Sequence, residues 1–134
     1  MRKALVPQRV RSINGSFAAI EHRFLRHGFW TTLGHHELLL YFFLILVADR
    51  QGLSFYSYNK ICSLLTISVD DYIMARNSLI DKDLLAFDGT FFQVLSLPAE
   101  PVHHSKLLQN KEDMVREDPA TIYRVIKQSL EKRT

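Results

Sequence analysis

The sequence is poor in cysteine, since Cys62 is the only one in 134 residues. No intrachain disulfide is therefore available, which is typical of proteins in a reducing compartment, and we expect a cytoplasmic location. Structural zinc sites are usually built from several thiolates, so a single cysteine argues against the common zinc-binding domains.

The six histidines do not replace the missing thiolates. His35 and His36 are adjacent, as are His103 and His104, and adjacent side chains on a helix do not face one site. The sequence also contains no glycine-rich phosphate loop and no nucleophile motif of the strand–turn–helix type. We therefore predict a protein that has no metal, no cofactor and no catalytic residues, and that is not an enzyme.

The sequence also has no apolar segment long enough to cross a bilayer. Its longest run, residues 38–48 (LLLYFFLILVA), has 11 residues, whereas a membrane-spanning helix needs about 20. Arg9 and Arg11 interrupt the apolar segment that a secretory signal requires. We expect no membrane partner, and we interpret residues 38–48 as a helix that is buried on all sides.

Charge is distributed unevenly along the chain, although the net charge is only +3. Residues 1–34 contain six basic residues and one acidic residue, whereas residues 35–98 contain four basic and seven acidic residues. The basic character is therefore concentrated at the N-terminus, where residues 1–15 are predicted to form a flexible basic arm. The central part of the chain is acidic.

Apolar periodicity and capping residues predict an α+β protein that is mostly α-helical. A helix capped by Ser16 and stopped by Gly28 is followed by a long helix over residues 35–50 and a short strand over residues 53–56. Ser57 and Ser68 are expected to cap two further helices, separated by a tight turn. Two strands follow, over residues 84–87 and 91–97, and Asp88-Gly89 predicts a two-residue hairpin turn in which both residues have positive φ.

These elements predict a domain over residues 16–98, followed by a linker over residues 99–117. A last amphipathic helix is predicted over residues 118–134, with Asp118 as its cap and Pro119 in its first turn. Its apolar stripe consists of Ile122, Val125, Ile126 and Leu130. A lone helix of this length is marginal in water, so we expect it either to dock on its own domain or to pair with a second copy in a homodimer.

Two segments carry a resemblance to a known family. Residues 64–68 (LLTIS) and 75–85 (ARNSLIDKDLL) resemble the helix-turn-helix and the start of the wing in winged helix-turn-helix DNA-binding proteins. Residues 16–25, followed by a long apolar helix, are similar to the N-terminal domains of plasmid and phage replication initiators. The resemblance implies that the helix over residues 69–82 enters the major groove of DNA, with the hairpin over residues 85–97 as a wing beside it.

We accordingly predict a non-enzymatic protein that binds double-stranded DNA. It would be a transcription regulator or a replication-initiator-like accessory protein of a bacterium or a mobile element. Arg76 falls on the apolar side of its predicted helix, which favours a structural role for it. The candidate DNA contacts are Arg2, Lys3, Arg9, Arg11, Arg23, Arg26, Tyr58, Asn59, Lys60 and Asn77.

The predicted recognition helix also supports a second hypothesis. Only Asn77 on its outward face is a residue type that commonly reads base edges, and the predicted hairpin turn has no lysine or arginine. The rest of that face consists of three aspartates, Met74 and Ser78, and would suit a protein partner instead. The residues of this alternative docking face are Asp70, Asp71, Met74 and Asp81.

Overall fold

A computed structural model describes residues 3–102 and confirms an α+β protein that is mostly helical. Two short 3-10 turns, Pro7–Arg9 and Trp30–Thr32, accompany the regular elements. The predicted helix over residues 118–134 and the linker beyond residue 102 lie outside the described residues. The elements are α1 (Arg23–Arg26), α2 (His35–Val47), β1 (Leu53–Ser54), α3 (Tyr58–Leu65), α4 (Val69–Asp81), β2 (Leu85–Phe87) and β3 (Phe92–Val94).

The three strands form one antiparallel sheet in the order β1-β3-β2. β2 and β3 form a hairpin in which Phe87 is opposite Phe92, and β1 pairs with the other edge of β3 through Leu53 and Gln93. Phe87 and Phe92 are both buried, with stacked rings 4.3 Å apart. The hairpin is therefore anchored through its aromatic inner face.

The core lies between α2, α4 and the inner face of the sheet. Leu40 and Leu44 from α2, Leu79 from α4 and Phe92 from β3 are completely buried. Burial of a large apolar side chain stabilises the fold by about 1.5–3 kcal/mol, so each of these positions contributes substantially to the stability of the domain.

The caps predicted at Ser57 and Ser68 are confirmed. The Ser57 hydroxyl accepts a hydrogen bond from the backbone N–H of Lys60 at the start of α3, and the Ser68 hydroxyl accepts one from the N–H of Asp71 at the start of α4. Between the two helices, Thr66 adopts a left-handed conformation with φ 56°. The turn between α3 and α4 is thus as tight as the sequence predicts.

The predicted helix over residues 16–28 is wrong for most of its length. Only Arg23–Arg26 is α-helical, and Ser16 caps nothing. Of the apolar residues that suggested the helix, Phe24 is buried, whereas Phe17, Ile20 and Leu25 are exposed. A short helix is stable only when its apolar face packs on the rest of the protein. Of these four apolar residues, only Phe24 is buried against other described residues.

The prediction that the apolar run is buried on all sides is also wrong. Leu39 and Leu46 of α2 are 42% and 69% exposed. Helix α2 ends at Val47 rather than residue 50, because the Asp49 carboxylate accepts hydrogen bonds from the N–H groups of Gln51 and Leu53 and closes a turn there. The burial pattern leaves one side of α2 open to solvent.

The hairpin is confirmed, but its turn differs from the prediction. Among the two central residues only Gly89 has positive φ. The Asp88 carboxylate accepts hydrogen bonds from the N–H groups of Thr90 and Phe91, which organises a longer loop between β2 and β3. These backbone donors lower the pKa of Asp88 below its ordinary value. The hydrogen bonds of the Asp88 side chain stabilise this longer loop, so it forms in place of the predicted two-residue turn.

Replacement of Gly52 by alanine is expected to destabilise the protein by more than about 2 kcal/mol. Gly52 has φ +85°, and a Cβ built on it would lie 2.5 Å from the carbonyl oxygen of Val94. Urea unfolding followed by circular dichroism measures the effect. Gly15→Ala is the matched control, because nothing lies within 4 Å of a Cβ at that position. Equal stability of the two variants would contradict the close approach of the backbones.

Candidate nucleic-acid interface

The N-terminal arm is exposed throughout the described range. Residues 3–20 are all exposed, and the only helical structure in them is the 3-10 turn Pro7–Arg9. The basic side chains of Lys3, Arg9 and Arg11 form no ion pair with any residue between positions 3 and 102. Arg2, also a predicted DNA contact, lies outside the described residues. The arm therefore presents three cations to solvent.

Arg23 has a structural role that sequence reasoning missed. Its guanidinium donates hydrogen bonds to the carbonyl oxygens of Pro98 and Leu97, at 2.8 and 2.9 Å, and pairs with Glu21 at 2.9 Å. It also lies over the ring of Phe29. These contacts tie α1 to the segment that follows β3, whereas Arg26, at the end of α1, is exposed.

The first turn of α3 presents polar side chains to solvent. Asn59 and Lys60 are exposed, and Tyr58 is half-buried. Ser57 accepts the hydrogen bond of only one of the N–H groups that the start of a helix leaves without a backbone partner. A cation and an amide therefore lie together at the positive end of a helix dipole, an arrangement that suits a phosphate.

The outward face of α4 is acidic and apolar, as the sequence predicts. Asp70 is exposed, Met74 is 65% exposed, and Asp71 and Asp81 are half-buried. The Asp71 carboxylate lies 3.8 Å from the Nε2 atom of His36 on α2. Acids in the first turn of a helix stabilise it through the helix dipole but repel a phosphate.

Arg76, the only basic residue of α4, is buried in the core. Its exposed fraction is 0%, and its guanidinium lies 5.2 Å from the ring centroids of both Tyr72 and Phe87. The predicted structural role is thereby confirmed. Because the guanidinium is enclosed between α4 and β2, it is inaccessible to a phosphate or a base.

Asn77 is committed to Arg76. Its side-chain oxygen accepts hydrogen bonds from Nε and Nη2 of Arg76, at 3.3 and 3.2 Å. A bidentate contact to adenine uses both the oxygen and the nitrogen of an asparagine amide. The one predicted base-reading residue of α4 is thus already engaged within the protein.

An exposed aromatic pair was not identified from the sequence. Phe55 and Phe91 are 63% and 50% exposed, and their ring centroids are 5.6 Å apart. They lie one step beyond the β1–β3 pair Ser54 and Phe92, so they continue the sheet on its outer face. The weak alternation of apolar and polar residues over positions 53–56 indicated a strand there. It did not indicate that Phe91 would be the cross-strand neighbour of Phe55.

A groove of about 800 Å³ separates the base of the arm from the end of α2. It is lined by residues 16–21, 48–52 and 94–97, together with Tyr41 and other residues of α2. Burial, together with the charge of Glu21, raises the pKa of Tyr41 to about 12. Tyr41 therefore remains protonated at neutral pH.

Comparisons of the chain with protein-family models, with curated proteins and with solved structures find no match. Within residues 3–102 no helix has both the length and the apolar character needed to cross a membrane. In the same part of the chain, no three His, Cys, Asp or Glu side chains are arranged to hold a metal ion.

Substitution of Arg76 by alanine is expected to lower the free energy of unfolding by about 2–4 kcal/mol. The change removes a fully buried side chain and leaves a void between Tyr72 and Phe87. Met74→Ala is the control on the exposed face of the same helix, with an expected change within about 0.5 kcal/mol. Urea unfolding curves measure both variants. An Arg76→Ala protein of unchanged stability would show that the guanidinium does not support the core.

Proposed function

We propose that the chain is a winged-helix protein that binds double-stranded DNA through its N-terminal arm, without catalysing a reaction. The observation that carries the proposal is the exposed arm, whose three cations form no ion pair among residues 3–102. The arm is attached to a domain with the winged-helix order of elements. Regulation of transcription or assistance in replication initiation, in a bacterium or a mobile element, is the biological role that such binding would serve.

The element order supports the winged-helix part of the proposal. A long helix, a short strand, two helices joined by a tight turn, and a hairpin follow one another along the chain. The short strand β1 joins the hairpin to make a three-stranded antiparallel sheet. This is the arrangement in which winged-helix proteins place their second helix and hairpin beside each other.

The arm can bind the DNA backbone without a recognition helix. Lys3, Arg9 and Arg11 are spread along the exposed arm, so they can reach successive phosphates or a minor groove. From Lys3 to Gly15 a fully extended chain spans about 40 Å, which exceeds the pitch of one turn of DNA. Affinity would therefore derive mainly from charge, with little selection among sequences.

The start of α3 would provide a second, positioning contact. Lys60 and Asn59 are exposed at the N-terminal turn of α3, and both can bond a phosphate oxygen. Helix α4 would contribute little base readout, because Arg76 is buried and the Asn77 oxygen is occupied.

The paired substitution Arg9→Ala/Arg11→Ala is expected to weaken binding to a mixed-sequence duplex and to make it less sensitive to salt. Each phosphate contact contributes about −0.9 to the slope of log Kobs against log salt concentration, so losing two reduces the slope by about 1.8. Fluorescence anisotropy with a labelled duplex, at several salt concentrations, measures this slope.

Gln8→Ala/Ser12→Ala is the matched control, since it changes two neighbouring uncharged positions of the same arm. It should leave both affinity and slope unchanged. If the two double variants behave alike, or if the native chain does not bind the duplex at low salt, the arm is not a DNA-binding element.

A second candidate function is docking of a protein partner on α4. It is favoured by the exposed Asp70 and Met74, which combine charge with an accessible apolar side chain at the position where DNA readers present donors. In this case α4 would stay away from DNA even while the arm binds it.

Charge reversal at the start of α4 tests whether this helix lies in a groove of DNA. If α4 lies in a groove, Asp70→Lys/Asp71→Lys adds two phosphate contacts and makes the salt slope more negative by about 1.8. If α4 is reserved for a protein, we expect the slope to stay unchanged. Asp70→Asn/Asp71→Asn controls for the loss of negative charge alone, and the same anisotropy titration reports all three proteins. Binding through the arm and docking of a protein on α4 both predict the unchanged slope, and a more negative slope would contradict both.

A further inference from the structure

Helix α2 exposes an apolar stripe that the described residues do not cover. Leu39 and Leu46 are 42% and 69% exposed, and Phe42 lies between them, half-buried. Their spacing of three and four residues puts all three on one side of the helix. Trp30, 41% exposed, extends the stripe because its ring lies 5.3 Å from that of Phe42. We call these four residues the α2 stripe.

The chain leaves the described domain close to this stripe. Arg23 holds the carbonyl oxygens of Leu97 and Pro98 against α1. The Pro101 ring then reaches Gly28, where a Cβ would lie 3.9 Å from its Cγ atom. Gly28 is two residues before Trp30 in the sequence. Residues 103–134 therefore start near Gly28, two residues from Trp30 of the α2 stripe.

Those residues contain a stripe of matching length. Ile122 and Leu130 are eight residues apart, which corresponds to about 12 Å along a helix. Leu39 and Leu46 are seven residues apart, or about 10.5 Å along α2. Residues 103–117 can span as much as about 50 Å, whereas α2 itself is about 20 Å long. The tether is long enough to lay one stripe along the other in either direction.

We infer that residues 118–134 form a helix that docks on the α2 stripe of the same chain. The starting point near Gly28 favours this occupant over a second copy. A short tether gives an effective concentration of about millimolar order. Packing the two stripes together removes apolar surface from water on both sides. The inference is independent of DNA binding, since no residue of the arm takes part.

Trp30 provides an internal probe, because it is the only tryptophan of the protein. In the full-length chain, Ile126→Asp is expected to release the docked segment, shift the tryptophan emission to the red and increase quenching by acrylamide. Gln128→Asp adds the same charge two positions away, off the stripe, and should leave both signals unchanged. Identical spectra for the native chain and Ile126→Asp would overturn the inference.

Substitution on the other side of the contact gives a second, reciprocal test. Leu46→Asp alters an exposed position of α2 and should reproduce the red shift and stronger quenching. Leu64→Asp, at a position of α3 that is 53% exposed, is the matched control and should change neither signal. The double variant Leu46→Asp/Ile126→Asp should shift no further than either single variant, since both break the same contact. Additive shifts would contradict a direct contact.

Oligomeric state separates the two occupants of the stripe. Light scattering should give the mass of one chain, and acrylamide quenching of the native protein should not change on dilution. A dimer mass that falls in the Ile126→Asp variant, together with quenching that increases on dilution, would show that a second copy covers the stripe and would overturn the intramolecular assignment.

Discussion

The burial of one guanidinium constrains both the fold and the use of this protein. Arg76 enters the core from α4, lies over the rings of Tyr72 and Phe87, and binds the side chain of Asn77. A buried cation is costly unless its surroundings satisfy it, so α4 and the hairpin must keep a fixed relation to each other. The orientation of α4 relative to the sheet follows from this requirement.

The same burial explains why the outer surface of α4 has no positive charge. The arginine that could have faced a partner lies inside, and Asp70 and Met74 occupy the accessible positions. Cations are instead found on the arm, where Arg9 and Arg11 have no acidic partner among residues 3–102. The folded domain and the exposed positive charge thus belong to different segments of the chain. The proposed winged-helix fold is therefore compatible with the proposed binding through the arm.

Local chemistry predicted much of the fold, because caps and turns depend on neighbouring residues. The serines at positions 57 and 68 cap helices as expected, and the order of elements from α2 to β3 was foreseen. The predictions were wrong where the structure of a segment depends on the surface against which it packs. The spacing of Phe17, Ile20 and Phe24 resembles a helix face, but it does not reveal whether a surface exists to receive that face. The exposed Phe55–Phe91 pair depends in the same way on strand register, which joins residues distant in sequence.

The brevity of the sheet has a consequence for the behaviour of the protein at high concentration. β1 has two residues and β2 has three, so each edge of the sheet presents very few backbone groups to another chain. Short edges resist the strand-by-strand association that leads to aggregation. This resistance to aggregation matters here because the exposed rings of Phe55 and Phe91 lie next to the strands. The strands end before pairing with another chain could extend.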